Sequence, residues 1–277
     1  RLPDFVPGFS FGGKRIGVVA ARRHPITGEI TGETIDLSGL VRDDVLYWDV
    51  PEGHWRIFIL SETPNGASAR HQNYVNPLVP ESVRVLIDTV YEAFYERYRN
   101  DFGDTLAGFF SDEPGFYNDR QTFDFESRPG KKGVVLPWSR DLPALMEEAL
   151  GSGYLELLPL LWHEGGPRTS EVRFAYMDVV SRLYAEHFTK QIGDWCRARN
   201  VEYIGHVLED NNVHARLGAG AGHYFRALWG QDMAGIDVIG WQITPGFDEV
   251  PLQLSSGVSD NEFYHYGLAK MDSSLAH

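Results

Sequence analysis

The sequence predicts an α/β fold, a partial or complete (β/α)8 TIM-type barrel with a β-rich N-terminal insertion. Three observations predict it. Apolar strands at Thr105–Ser111, Tyr203–Leu208 and Ile236–Ile243 alternate with segments that repeat apolar residues about every 3.6 positions. Each of these strands closes in polar residues, as strands do in a parallel sheet whose C-terminal ends carry the active site. The start of the chain lacks this alternation and has hairpin chemistry instead, which divides the sequence into a β-rich segment, 1–63, packed on a barrel region, 64–277. The strands visible amount to about half of a barrel.

In the β-rich segment, Arg15–Arg22, Val45–Val50 and Trp55–Glu62 are dominated by β-branched and aromatic residues, and Pro25–Gly28 and Pro51–Gly53 reverse the chain between them. From Pro80 the period changes. Val83, Ile87, Val90, Phe94 and Tyr98 line one face of a helix that stops near Gly103. The strand Thr105–Ser111 then ends abruptly in Asp112-Glu113-Pro114-Gly115, and the polar stretch Tyr117–Gly133 reads as a long loop over the strand's C-terminal end. Asp141 and Pro143 open a helix that stops at Gly151, and Tyr154–Trp162 forms a shorter one.

Ser170 is expected to cap a long helix whose apolar face, from Val172 through Leu183, Phe188 and Ile192 to Trp195 and Cys196, runs until Asn200. The strand Tyr203–Leu208 follows and ends in Glu209-Asp210-Asn211-Asn212. A helical segment near His223–Met233 leads into the strand Ile236–Ile243, and a helix over Asn261–Ala276 comes last. Internal repeats and clean linkers are absent, so the β-rich start and the βα part are expected to form one cooperative unit.

The bulk numbers narrow the class. With 277 residues, 43% of them hydrophobic, the chain can bury a substantial core. A net charge of -14 argues against nucleic acid as a partner and favours a neutral or cationic one. No apolar run is long enough to span a bilayer, so no membrane partner is expected, and no segment has the pattern of a signal peptide. That leaves localisation open, since the chain begins at Arg1. The single cysteine, Cys196, lies beside Trp195 in an amphipathic stretch and reads as core filler. Aromatic residues make up 13% of the chain; most serve the core, and flat rings also suit sugar faces.

The chemistry-bearing residues gather at strand ends. Hydrolysis of a glycosidic bond uses one carboxylic acid to protonate the leaving oxygen and a carboxylate opposite it to activate water or attack the sugar. Glu113 follows an apolar strand and precedes Pro-Gly, which leaves its side chain at the strand mouth. Asp112 beside it raises its pKa by like charge, or orients an arginine or a metal; the plain alternative is a polar turn. Glu209 is the candidate partner carboxylate, with His206, Asp210 and Asn211 as sugar contacts. Trp241 and Gln242, at the end of the third strand, offer a ring platform and a hydroxyl contact, with Trp241 equally suited to a core. The glycines of Gly218–Gly222 suggest a phosphate loop, but no Gly-Lys-Ser/Thr follows and the preceding strand ends in acids.

Taken together, Asn76-Pro77 before a helix, Gly108–Phe116 with its Asp-Glu-Pro turn, Gly205–Asp210, Phe263–Lys270 and Ser273–Ala276 resemble bacterial glycoside hydrolases similar to the family 106 α-L-rhamnosidases, over about residues 45 to 277. The resemblance implies a catalytic (β/α)8 barrel within a larger secreted or periplasmic enzyme, truncated here at both ends, that acts on plant or microbial oligosaccharide or polysaccharide. It implies Glu113 as acid at the fourth strand and a second catalytic glutamate at the seventh, which on this count lies beyond His277 unless Glu209 fills the role. No cofactor is expected; calcium is allowed by the resemblance alone, since no run has the spacing of a calcium loop. Two other readings stay open, a metal-dependent hydrolase centred on His206, Glu209, Asp210 and His214, and a barrel that binds carbohydrate without cleaving it.

Overall fold

The computed structural model describes residues 13–64, 66–118, 125–239, 242–248, 253–254, 257–258 and 261–276. Strand β1 (Lys14–Arg23) reverses at the expected Pro25–Gly28 turn into β2 (Ile30–Asp36), and β5 (Trp55–Glu62) pairs antiparallel with the other edge of β1, giving the order β2-β1-β5. Between them β3 (Val41–Arg42) and β4 (Val45–Leu46) make a two-residue hairpin. This is shorter than the strand expected over Val45–Val50. Asp43 and Asp44, both left-handed at φ 48° and 57°, build the tight turn, and pairing ends when β3 runs out of partners.

The helix expected from Pro80 is α1 (Pro80–Leu86) continuing through a π turn (Ile87–Tyr91) into α2 (Glu92–Tyr98). The wide turn shifts the apolar face. Val83, Ile87 and Tyr91 are buried, whereas Val90, Phe94 and Tyr98 are at least 40% exposed, so the face read from the sequence holds only for its first half. Next come β6 (Gly108–Asp112), α3 (Leu142–Leu150) and α4 (Tyr154–Leu157), the last followed by a 3-10 turn through Leu161. Helix α5 (Arg168–Leu183) begins before Ser170, which is therefore not its cap; Pro167, with its φ preset for a helix, starts the turn earlier. A π turn (Tyr184–Thr189) joins α5 to α6 (Lys190–Arg197), and Asn200, left-handed at φ 59°, ends the run as expected.

Strand β7 (Glu202–His206), a 3-10 turn (Asp210–Ala215), α7 (Tyr224–Leu228) and β8 (Met233–Ala234) complete the parallel sheet β6-β7-β8. The third strand thus lies before the expected Ile236–Ile243. The β-branched residues there favour extended chain, but the ladder with β7 holds only Ile204↔Met233 and Gly205↔Ala234, and Val238 and Ile239 are left about half exposed. A short hairpin, β9 (Gln253–Leu254) with β10 (Gly257–Val258), and a π turn (Phe263–Leu268) running into α8 (Ala269–Leu275) follow.

Two compact units result. One holds the described residues up to Gln72 with Arg128–Val179, the other Asn73–Ser127 with the described residues from Val180 onward. This division differs from the expected boundary between residues 63 and 64. In the first unit α4 packs on β1 and β2, where Leu155 fills the space over Gly17 and the Ile30 N–H donates to the Glu164 carbonyl at 2.7 Å. The antiparallel sheet therefore takes its cover from residues far along the chain. Its own core is Val18, Ala20 and Leu37 with Trp48 and Trp55 edge to face at 5.5 Å.

In the second unit one face of the parallel sheet, carrying Phe109, Ser111, Tyr203 and Gly205, packs on helices. Phe109 meets Tyr91 at 4.7 Å and Trp195 at 5.8 Å, and the Tyr203 hydroxyl donates to Ser111 Oγ at 2.9 Å. Strand β7 lies so close to β6 that a Cβ on Gly205, whose φ is 152°, would stand 2.2 Å from the Ser111 carbonyl oxygen. Gly205→Ala is expected to destabilise the protein by well over ~1 kcal/mol, measured as a lowered urea midpoint; a midpoint equal to that of the wild type would show that the strands part without cost.

Candidate active site

The opposite face of the sheet carries the candidate residues. The parallel register sets Phe110 beside Ile204 and Asp112 beside His206, so by strand alternation these four share one face. Phe110 and Ile204, with Met233 next in the row, are apolar; Asp112 and His206 sit at the C-terminal edge, where Glu113 follows. The sequence thus places a polar rim above an apolar floor.

His206 is the centre of the rim. Its Nε2 lies 3.0 Å from Asp112 Oδ1, and its Nδ1 lies 3.3 Å from Glu209 Oε2 and 3.0 Å from the Val207 carbonyl. Burial works against charge on this ring, but is outweighed by the hydrogen bond and charge of Glu209, then by Asp112 and the Val207 carbonyl, and its pKa is pushed up to about 9. His206 is therefore an imidazolium at neutral pH, donating from both nitrogens. Glu209 is only 3% exposed, and burial pushes its carboxyl up while His206 holds it down; its Oε1 finds no hydrogen-bond partner among the described residues. Asp112, by contrast, has a side chain 79% exposed.

Glu113 stands half-buried beside this pair, with its backbone left-handed at φ 47°. A non-glycine residue there costs about 1–3 kcal/mol and persists only where its surroundings enforce it. Burial raises its pKa, His206 opposes the rise, and the charges of Asp112, Asp210 and Glu209 add to it. Another acid joins it from just past the end of β8. Ligand atoms of Glu113, His206 and Asp237 all lie within 4.8 Å of one another, and Asp237 is half-buried like Glu113. Asp237 was not singled out in the sequence because it sits inside the apolar run Ile236–Ile239; its only signal is position, three residues past the true strand end.

The remaining expected residues divide. Asp210 accepts hydrogen bonds from the Gln242 amide and, at 2.8 Å, from the hydroxyl of buried Tyr264, while Gln242 Oε1 accepts from the Ile239 N–H at 3.0 Å. Gln242 is itself buried, so its polar groups are satisfied inside the protein. The side chain of Asn211 and all of Trp241 lie outside the described residues. His214 stacks on Phe263 at 5.8 Å and meets Tyr224 edge on, and burial lowers its pKa to about 4. The expected metal set of His206, Glu209, Asp210 and His214 does not converge; among the described residues the group that does is Glu113, His206 and Asp237. Calcium takes roughly six to eight oxygen ligands. One imidazole and two carboxylates fit it poorly and suit a zinc- or manganese-type ion instead.

No family model and no curated protein matches the sequence. Among solved structures the chain is similar to a rhamnosidase from Novosphingobium sp. PP1Y over 75% of its length, at 15% sequence identity and a TM-score of 0.48, and it spans 19% of that protein's chain.

The His206 contacts set a pH dependence. Its pKa is higher in the folded protein, about 9 against 6.5, so the stability it contributes is full below pH 6.5 and is lost as pH rises through 9. The His206 ring followed by NMR is expected to titrate near 9 and to move down toward 6.5 in Glu209→Gln. A wild-type titration at 6.5 would remove the imidazolium from this site.

Proposed function

We propose that this chain is the catalytic part of a glycoside hydrolase that cleaves O-glycosidic bonds of an oligosaccharide or polysaccharide, with Glu113 as the general acid. The observation that carries this is the Glu113 carboxyl itself: half-buried at the mouth of a parallel sheet, raised in pKa by burial and neighbouring acids, and within 4.8 Å of a second accessible carboxylate, Asp237. A carboxyl whose pKa is raised is a better proton source for a leaving alkoxide. Glu113 gives its proton to the glycosidic oxygen as the bond breaks, and Asp237, too near Glu113 for a water to fit between them, attacks the anomeric carbon to form a glycosyl-enzyme that water then hydrolyses. Glu209 is too buried to reach a sugar and acts as the counter-ion of His206, whose charge offsets part of the crowding of acids. The excess of acids around the site favours uncharged sugars over uronates.

The same reading makes the sheet part of a (β/α)8 barrel. Parallel sheets are covered on both faces, yet in the row Phe110, Ile204 and Met233 the outer two are 61% and 58% exposed. Further strands closing the sheet would bury this row as an inward layer. The sequence resemblance makes α-L-rhamnosides the first substrates to try.

Glu113→Gln is expected to lower kcat on alkyl glycosides by about 10²–10⁴-fold, with the circular dichroism spectrum unchanged. The loss should shrink on dinitrophenyl glycosides, whose leaving group needs no proton. Equal losses on both would remove the acid role from Glu113. Convergence of Glu113, His206 and Asp237 favours one other reading, a metal-dependent hydrolase built on those three residues. It requires about one zinc or manganese ion per chain and activity that chelation abolishes and the metal restores; activity indifferent to chelation excludes it.

A further inference from the structure

The turn that carries Glu113 packs against the Gly218–Gly222 run. Both ends of that turn, Glu113 and Tyr117, are left-handed at φ 47° and 52°, a conformation bulky L residues avoid. Three sets of hydrogen bonds impose it. The Tyr117 hydroxyl donates to the Glu113 carbonyl at 2.7 Å and closes the turn on itself. The hydroxyl of Tyr184, a residue 1% exposed at the start of a π turn, donates to the Pro114 carbonyl at 2.9 Å. The Phe116 and Tyr117 N–H groups donate to the Gly220 and Gly218 carbonyls at 3.0 and 2.6 Å.

The glycines allow the last set. A Cβ on Gly115 would stand 2.0 Å from the Ala219 carbonyl oxygen, and one on Gly220 would stand 1.9 Å from the Val213 carbonyl oxygen. Three stretches of backbone are thus stacked with no side chain between them. Around them Leu208, Val213 and Ala219 form a small core against Tyr117 and Phe125.

We infer that the Gly218–Gly222 run, with the hydroxyls of Tyr117 and Tyr184, is a positioning device that fixes the Glu113 turn in its left-handed form and so aims the carboxyl across the strand mouth. This rests on Glu113 being the general acid. The two tyrosine hydroxyls are spent on carbonyls of the turn, so they act through Glu113. A buried carbonyl that loses its donor is left unsatisfied, and the turn relaxes to recover a partner.

Tyr117→Phe and Tyr184→Phe each remove one oxygen with little change of volume, and thermal melting confirms that each variant is folded. Each is expected to lower kcat on an alkyl rhamnoside by ~10- to 100-fold, the scale of a small misplacement of a reacting group, with KM within about twofold, the pattern of a lost transition-state contact. The Glu113 carboxyl, followed by carbon NMR, should titrate lower than in the wild type as it swings toward water. Gly115→Ala should do more by pushing the turn off the glycine run; since it can also prevent folding, the tyrosine variants decide. Wild-type kcat and an unmoved Glu113 titration in both would overturn the inference. If the wild type hydrolyses no glycoside, the proposed reaction fails, and the Glu113 titration in the two variants still decides the positioning role.

Discussion

The second unit depends on how closely β6 and β7 approach. Gly205 lets β7 lie against the Ser111 backbone, and the resulting register puts Asp112 directly beside His206. From that one pairing follow the hydrogen bond between these two side chains, the proximity of Glu113 to both, and the Tyr203–Ser111 contact that faces the helices. Shifting the register by one residue would turn every side chain to the other face. The acids would then point at Phe109 and Trp195, where an unpaired charge is expensive. Gly205 therefore sets which face carries chemistry as well as how tightly the strands pack.

Charge is the second constraint. Asp112, Glu113, Glu209 and Asp237 gather around one imidazole, with the charge of Asp210 also felt at Glu113, and such a cluster is tolerable only if some members keep a proton or find a cation. His206 answers for Glu209 and Asp112. Glu113 takes the other route, with burial and its neighbours favouring the neutral acid. The two solutions depend on each other, since the charge on His206 keeps the Glu113 carboxyl from rising further.

Helix geometry serves the same end. The apolar residues of the α5–α6 run are spaced by four, then five, then four, at Val179, Leu183, Phe188 and Ile192, and all four are buried. The step of five is the trace, in the sequence itself, of the π turn at Tyr184–Thr189. A π turn costs helix hydrogen-bond quality and is kept where something needs the widened register. Here Tyr184, the first residue of that turn, reaches the Pro114 carbonyl in the turn that carries Glu113.

The sequence by itself determined the alternation of strands and helices, the stops at Gly151 and Asn200, the end of a strand at Asp112-Glu113, and the gathering of carboxylates at strand ends, because periodicity, turn residues and local polarity are properties of neighbours along the chain. Only the tertiary structure decided where each acid lies and what surrounds it. In the sequence Glu209 stands out as a strand-end carboxylate and Asp237 is hidden in an apolar run, yet Glu209 is buried against His206 and Asp237 opens beside Glu113. The part of the chain that covers the N-terminal sheet and the packing of the glycine run against the Glu113 turn were settled in the same way. Burial, register and pKa arise from residues about a hundred positions apart, Asp112 and His206 among them, and a pattern read along one strand carries no record of what the next strand brings beside it.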